Sequence, residues 1–208
     1  MKKLHTLILA PVAMAVLLST AGWAAEQPAL SDRAYRAVNK AQALITEKKY
    51  GEANAKLQDA LSGAGERVYD KGVILQTLGF VAAQQEKYGQ ATKYFADAIA
   101  TGGLPQPVAQ QVRYNLAQLY MAEGNFKGSI NTMKEWFANL GKDEKPTPHA
   151  YITLANAHVQ LKQYREAIPA VDQAIRLSAG KAPESWYLLK MAAHYELKQY
   201  KPATEVLT

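Results

Sequence analysis

The sequence predicts an all-α chain, a solenoid of stacked helical hairpins behind an N-terminal apolar segment. Three observations predict it. A short aromatic-plus-small phrase recurs along the chain, apolar residues at helical spacing flank each copy, and Gly and Pro punctuate the stretches between copies.

The phrase is a basic or polar pair, an aromatic, two residues, then a small residue. Its copies are Lys49-Tyr50-Gly51-Glu52-Ala53, Lys87-Tyr88-Gly89-Gln90-Ala91 and Asn125-Phe126-Lys127-Gly128-Ser129, followed by Gln163-Tyr164-Arg165-Glu166-Ala167 and Gln199-Tyr200-Lys201-Pro202-Ala203. The aromatics stand at 50, 88, 126, 164 and 200, so the spacings are 38, 38, 38 and 36. Five copies at nearly one period mark a repeat architecture. Upstream of Phe126, Tyr114, Leu116-Ala117 and Tyr120 keep helical spacing, and Ile130, Met133 and Trp136-Phe137 do so downstream. Around Tyr164 the same layout gives Tyr151, Leu154-Ala155 and His158 before it, then Ile168, Val171 and Ala174-Ile175 after it. The small residues Ala53, Ala91, Ser129, Ala167 and Ala203 let two helices approach, and the aromatics Tyr50, Tyr88, Phe126, Tyr164 and Tyr200 fill the space beside each turn. One such pair cannot bury its apolar face alone, so the pairs must stack.

Gly63, Gly102, Gly141 and Gly180 follow the second helix of each full unit and are expected to be left-handed C-terminal caps. Proline marks the following starts at Pro105, Pro107, Pro148 (behind the N-cap Thr147) and Pro183. The glycines lie 39 apart against 38 for the aromatics, which predicts second helices that lengthen slightly along the array.

The N-terminus reads as an address. Met1 to His5 carries Lys2 and Lys3, Leu7 to Leu18 is apolar but for Pro11, and Ser19 to Ala25 is rich in small residues. That order is a secretory signal, with cleavage expected after Ala24. The apolar run is short for a membrane span of about 20 residues; the alternative is an uncleaved anchor in the inner membrane. Residues 25–208 are then the solenoid, with units near 34–71, 72–109, 110–147 and 148–183 and an incomplete 184–208. The Lys-Lys start and compact form point to a bacterial periplasm.

Composition excludes several classes. The chain of 208 residues is 49% hydrophobic and 20% charged, enough apolar material for a core. The net charge of +6 falls to +4 without Lys2 and Lys3, 22 basic against 18 acidic residues, with no run of four basic residues. A scattered excess is a solvated surface rather than a nucleic-acid footprint. There is no cysteine, hence no disulfide, thiolate metal site, catalytic thiol or lipoprotein anchor. No nucleophile elbow, zinc-protease helix, acidic metal loop or dinucleotide glycine fingerprint occurs. No catalytic residue, metal or cofactor is expected. His158 and His194 share one repeat position and read as inter-helix packing, Trp136 and Trp186 as core, and Asp143 and Glu144 as a solvated turn.

Tyr114-Asn115-Leu116-Ala117-x-x-Tyr120 through Gly124-Asn125-Phe126-x-x-Ser129-Ile130 resembles the tetratricopeptide repeat (TPR), as do Leu78-Gly79 with Tyr88-x-x-Ala91 and Leu154-Ala155 with Leu161 and Tyr164-x-x-Ala167. The resemblance covers about residues 34 to 208 and implies a right-handed superhelix that binds proteins. Two features depart from the family pattern: a period about four residues longer than the usual 34, and Lys190 where a leucine is expected. More narrowly, Glu184-Ser185-Trp186-Tyr187-Leu188-Leu189, Tyr195-Glu196-Leu197-Lys198-Gln199-Tyr200 and Met133-Lys134-Glu135-Trp136-Phe137 look like the periplasmic TPR proteins that accompany TonB/ExbB/ExbD-type energy-coupling systems. That resemblance implies a role beside TonB-dependent uptake across the outer membrane. The alternatives are an adaptor for cell-wall synthesis, polysaccharide export or outer-membrane assembly, and the recognition module of a longer enzyme.

In a TPR array, positions 2, 5, 9 and 12 of each first helix face the concave groove. The resemblance assigns Tyr35, Val38, Gln42 and Ile45; Val73, Gln76, Phe80 and Ala83; Gln111, Tyr114, Gln118 and Met121; His149, Ile152, Asn156 and Val159; and Ser185, Leu188, Ala192 and Tyr195. Val38, Val73 and Ile152 read as packing. Tyr114, Gln118 and Tyr195 read equally as packing or as partner contacts. Position 5 carries no Lys or Arg, so the carboxylate clamp that grips acidic C-termini in related domains is missing. An apolar lining with amides between suits an extended segment or a helix held by apolar anchors.

Overall fold

A computed structural model describes residues 28–142 and 144–206. The expected signal segment 1–24 and Asp143 lie outside them. The described residues form ten helices in chain order: α1 (Asp32–Thr46), α2 (Tyr50–Ser62), α3 (Val68–Gln84), α4 (Tyr88–Ala100), α5 (Gln106–Ala122), α6 (Phe126–Ala138), α7 (Pro148–Gln160), α8 (Tyr164–Leu177), α9 (Glu184–Glu196) and α10 (Tyr200–Glu205). Each packs on its neighbours in sequence, and α1 also meets α3 while α5 meets α7, so the pairs stack as a solenoid. No described helix is long and apolar enough to cross a membrane.

One backbone geometry closes all five hairpins. The residue two before each aromatic is left-handed: Lys48, Glu86 and Lys162 at φ 58°, Lys198 at 59° and Gly124 at 76°. The amide after it donates back to the carbonyl five residues earlier, from Lys49 to Leu44, Lys87 to Ala82, Asn125 to Tyr120, Gln163 to His158 and Gln199 to His194, at 2.8–3.0 Å. The left-handed residue's own amide bonds the next carbonyl, as from Lys48 to Ile45 and from Lys198 to Tyr195, both at 2.9 Å. The two bonds together satisfy carbonyls that the ending helix would leave orphaned.

This corrects the expected capping pattern. Gly102 (φ 64°) and Gly180 (φ 81°) are left-handed, but Gly63 sits at φ −95° and leaves the left-handed position to Gly65 at 55°. Gly141 is not left-handed either; its amide donates to Glu144 Oε2 at 2.7 Å. Glu144, read as merely solvated, therefore closes the loop after α6. Nor do the second helices lengthen steadily, since α2, α4 and α6 have 13 residues each and α8 has 14. Length varies instead in the first helices, with 15, 17, 17, 13 and 13 residues. Thr147 caps α7 as expected, accepting from the Ala150 amide, with Pro148 in the first turn.

The small residues are buried. Ala53, Ala91, Ser129 and Ala167 are wholly inaccessible and Ala203 nearly so. The Ser129 hydroxyl has no hydrogen-bond partner, a departure from the alanine of the other units that nothing in the packing explains. Trp136 and Trp186 are buried, and ring contacts Tyr114–Trp136, Trp136–Phe137 and Phe137–Tyr151 (centroids 5.9, 5.2 and 4.7 Å) tie the third hairpin to the fourth. Lys190, where the family pattern has leucine, pairs through Nζ with Asp172 Oδ1 on α8 at 2.7 Å. It joins the fifth hairpin to the fourth by charge where Leu78 and Leu116 use burial.

One buried polar tie went unnoticed in the sequence. Asp70, 1% exposed in the first turn of α3, accepts from the Ser31 amide (3.1 Å), the Ser31 hydroxyl (2.5 Å) and Arg67 Nε (2.8 Å). Ser31 is the N-cap of α1, so a single carboxylate fastens the start of the first hairpin to the second. Arg67 also donates to the Ala29 carbonyl at 3.3 Å. Burial alone raises the Asp70 carboxyl; the hydrogen bonds from Ser31 and Arg67, with the Arg67 charge, outweigh it and hold the group below the usual carboxylate range.

Two measurements follow from the fold. An L-residue in the left-handed region costs about 1–2 kcal/mol, against the smaller entropic cost of glycine. Urea denaturation is therefore expected to show Gly124→Ala destabilised by about 1 kcal/mol and Lys162→Gly stabilised by up to ~1 kcal/mol. A folded-state carboxyl lowered below its unfolded value stabilises above the unfolded pKa and loses that contribution as pH falls through the folded one. Asp70→Asn is expected to cost roughly 2 kcal/mol at pH 7, and its deficit against the parent should shrink below about pH 4 in melting profiles.

Candidate protein-binding groove

The first helices α1 and α3 bring predicted lining residues to one place. Gln42 and Ile45 from α1 meet Gln76 and Phe80 from α3 around a cavity of about 340 Å³. Thr46, Thr77, Asn115 of α5 and Phe95 of α4 complete its wall. None of these eight side chains carries a charge.

Why the cavity exists follows from helix packing. Phe95 is the second-helix core residue equivalent to Leu57, Met133 and Val171, and all four are buried. The facing small position runs Ala41, Gly79, Ala117 and Ala155. The second hairpin thus sets the largest side chain against the smallest. A methyl group on Gly79 would lie 2.5 Å from the Phe95 ring. Only glycine lets that ring lie against α3, with one edge left to wall the cavity.

Tyr114 lines a second cavity of about 380 Å³ with Pro107, Gln110, Gln111, Trp136, Leu140, Glu144, Lys145 and Thr147. Gln110 is buried with its amide used structurally, donating to the Trp136 carbonyl at 2.9 Å and accepting from Arg113 at 3.2 Å. Gln111 is exposed, and its Nε2 donates to Asn115 Oδ1 at 3.0 Å, one turn along α5. That pair links the rims of the two cavities.

The other predicted residues are dispersed. Tyr35 is exposed at the outer end of α1, while Gln118, Met121 and Asn156 are half-buried and wall neither cavity. Val38 and Val73 are buried in the core, as their packing reading requires, and Ile152 is half-buried. Tyr195, 63% exposed, lines a third and nearly apolar cavity of about 410 Å³ with Met191, Ala192, Glu196, Tyr200, Ala203 and Thr204. Its ring meets Tyr200 edge-on at 5.5 Å. Tyr50, Tyr88, Phe126 and Tyr164 are half-buried beside their turns, but Tyr200 is exposed.

The two histidines have a structural role. His158 Nδ1 lies 2.7 Å from Gln163 Oε1, and His194 Nδ1 lies 2.8 Å from Gln199 Oε1. The same glutamines donate their backbone amides to the same histidines' carbonyls, so each pair is tied twice across its turn. Among the described residues no group of three His, Cys, Asp or Glu is placed to hold a metal.

Residues 77–138 match one family model described as a tetratricopeptide repeat, and residues 148–180 match a second with that description. The chain carries tetratricopeptide repeats over these residues. No curated protein matches it in sequence. Among solved structures, this TPR chain is similar to MamA from Desulfovibrio magneticus RS-1 at 17% identity and a TM-score of 0.66, over 86% of this chain and 93% of that one. YrrB, titled "a TPR protein with an unusual peptide-binding site", is similar at 16% identity and 0.66, over 84% and 82%. A TPR protein from Parabacteroides merdae ATCC 43184 gives 14% and 0.66, over 85% and 64%. At these identities the likeness is one of fold. TPR proteins are generally non-catalytic scaffolds that bind proteins or peptides.

Thr46, Asn115, Phe95 and Trp136 join the groove without having been assigned to it. Phe95 and Trp136 stand on second helices, outside a register counted on first helices alone. The tight Gly79–Phe95 fit makes a direct test. Gly79→Ala should force the ring aside and cost about 1–3 kcal/mol by overpacking, and Phe95→Leu in the same chain should recover most of that loss in chemical denaturation. If the single and double variants are equally destabilised, the cavity wall is not set by this contact.

Proposed function

We propose that this TPR protein is a periplasmic scaffold accessory to a TonB/ExbB/ExbD-type energy-coupling system, acting by docking proteins rather than by chemistry. The observation that carries the docking role is the first cavity of the groove, which is lined without charge and rimmed by the amides of Gln42, Gln76 and Asn115. A groove of that kind takes polypeptide through apolar anchors and hydrogen bonds, and offers nothing to an acidic terminus. The charged, apolar, small-residue order of the N-terminus supports export to the periplasm. The sequence strings of the third and fifth units support the TonB-type setting. An exported scaffold of this kind reaches membranes only through its partners, and nucleic acid is not among them.

Crosslinking in intact, iron-limited envelopes, followed by affinity purification of the tagged chain, tests the reading. An ExbB, ExbD or TonB relative is the expected product. Recovery of cell-wall, polysaccharide-export or outer-membrane assembly proteins in its place would reassign the scaffold, and fractionation of the chain with the cytoplasm would end the periplasmic reading.

A further inference from the structure

We draw no further inference here: the strongest candidate, the nearly apolar cavity that Tyr195 and Tyr200 wall on α9 and α10, is an uncovered apolar face, and nothing in the structure shows what covers it.

Discussion

The structure depends on how each hairpin turns. At all five turns a left-handed residue is followed by an amide that reaches back to the last turn of the first helix. That geometry fixes where the second helix begins and how it crosses the first. The small residue five positions after the left-handed one, an alanine or serine in every hairpin, is then buried. Four of the five left-handed positions hold Lys or Glu, whose Cβ atoms make the conformation costly. The backbone bonds offset that cost, and the fourth and fifth hairpins add a histidine–glutamine contact across the turn.

The turn also shapes what the groove can offer. The residue whose carbonyl bonds the left-handed amide is the last groove position of each first helix: Ile45, Ala83, Met121, Val159 and Tyr195. Those carbonyls are committed to the fold. Hydrogen bonding toward a partner therefore falls to side-chain amides, and the first cavity has those of Gln76 and Asn115 on its wall. The Gln110 amide shows the contrast, because burial turns it inward to the Trp136 carbonyl.

The hairpin fold was legible because its signals are periodic: aromatics and small residues at fixed offsets remain visible whatever lies between them. The turn geometry was not, because glycine is the left-handed residue with a sequence signature, and only Gly124 of the five uses it. Glycines drew attention to the loops after the second helices, where Gly63 and Gly141 are in ordinary conformations. Half of the first cavity was legible from first-helix register, through Gln42, Ile45, Gln76 and Phe80. Phe95 escaped because it reaches the groove only past the missing side chain of Gly79, a fit between residues on different helices. Asp70 escaped for a similar reason. Its partner Ser31 lies 39 residues away, and an aspartate in a first turn ordinarily reads as a helix-dipole residue.

Charge is distributed so that the groove selects by exclusion. The ion pairs lie along the outer edges and between hairpins, as Arg33–Asp59, Lys93–Asp97 and Lys190–Asp172 show. None of these residues lines the first cavity. The chain has an excess of basic residues, yet the first cavity gives a carboxylate no cation and takes away its water. An uncharged segment loses little hydration there and gains the aromatic floor and the amide donors. Discrimination of this sort comes from what the wrong ligand would leave unpaired rather than from a strong contact to the right one. The first cavity is without charge because α1 and α3 carry amides and an aromatic at the positions that line it.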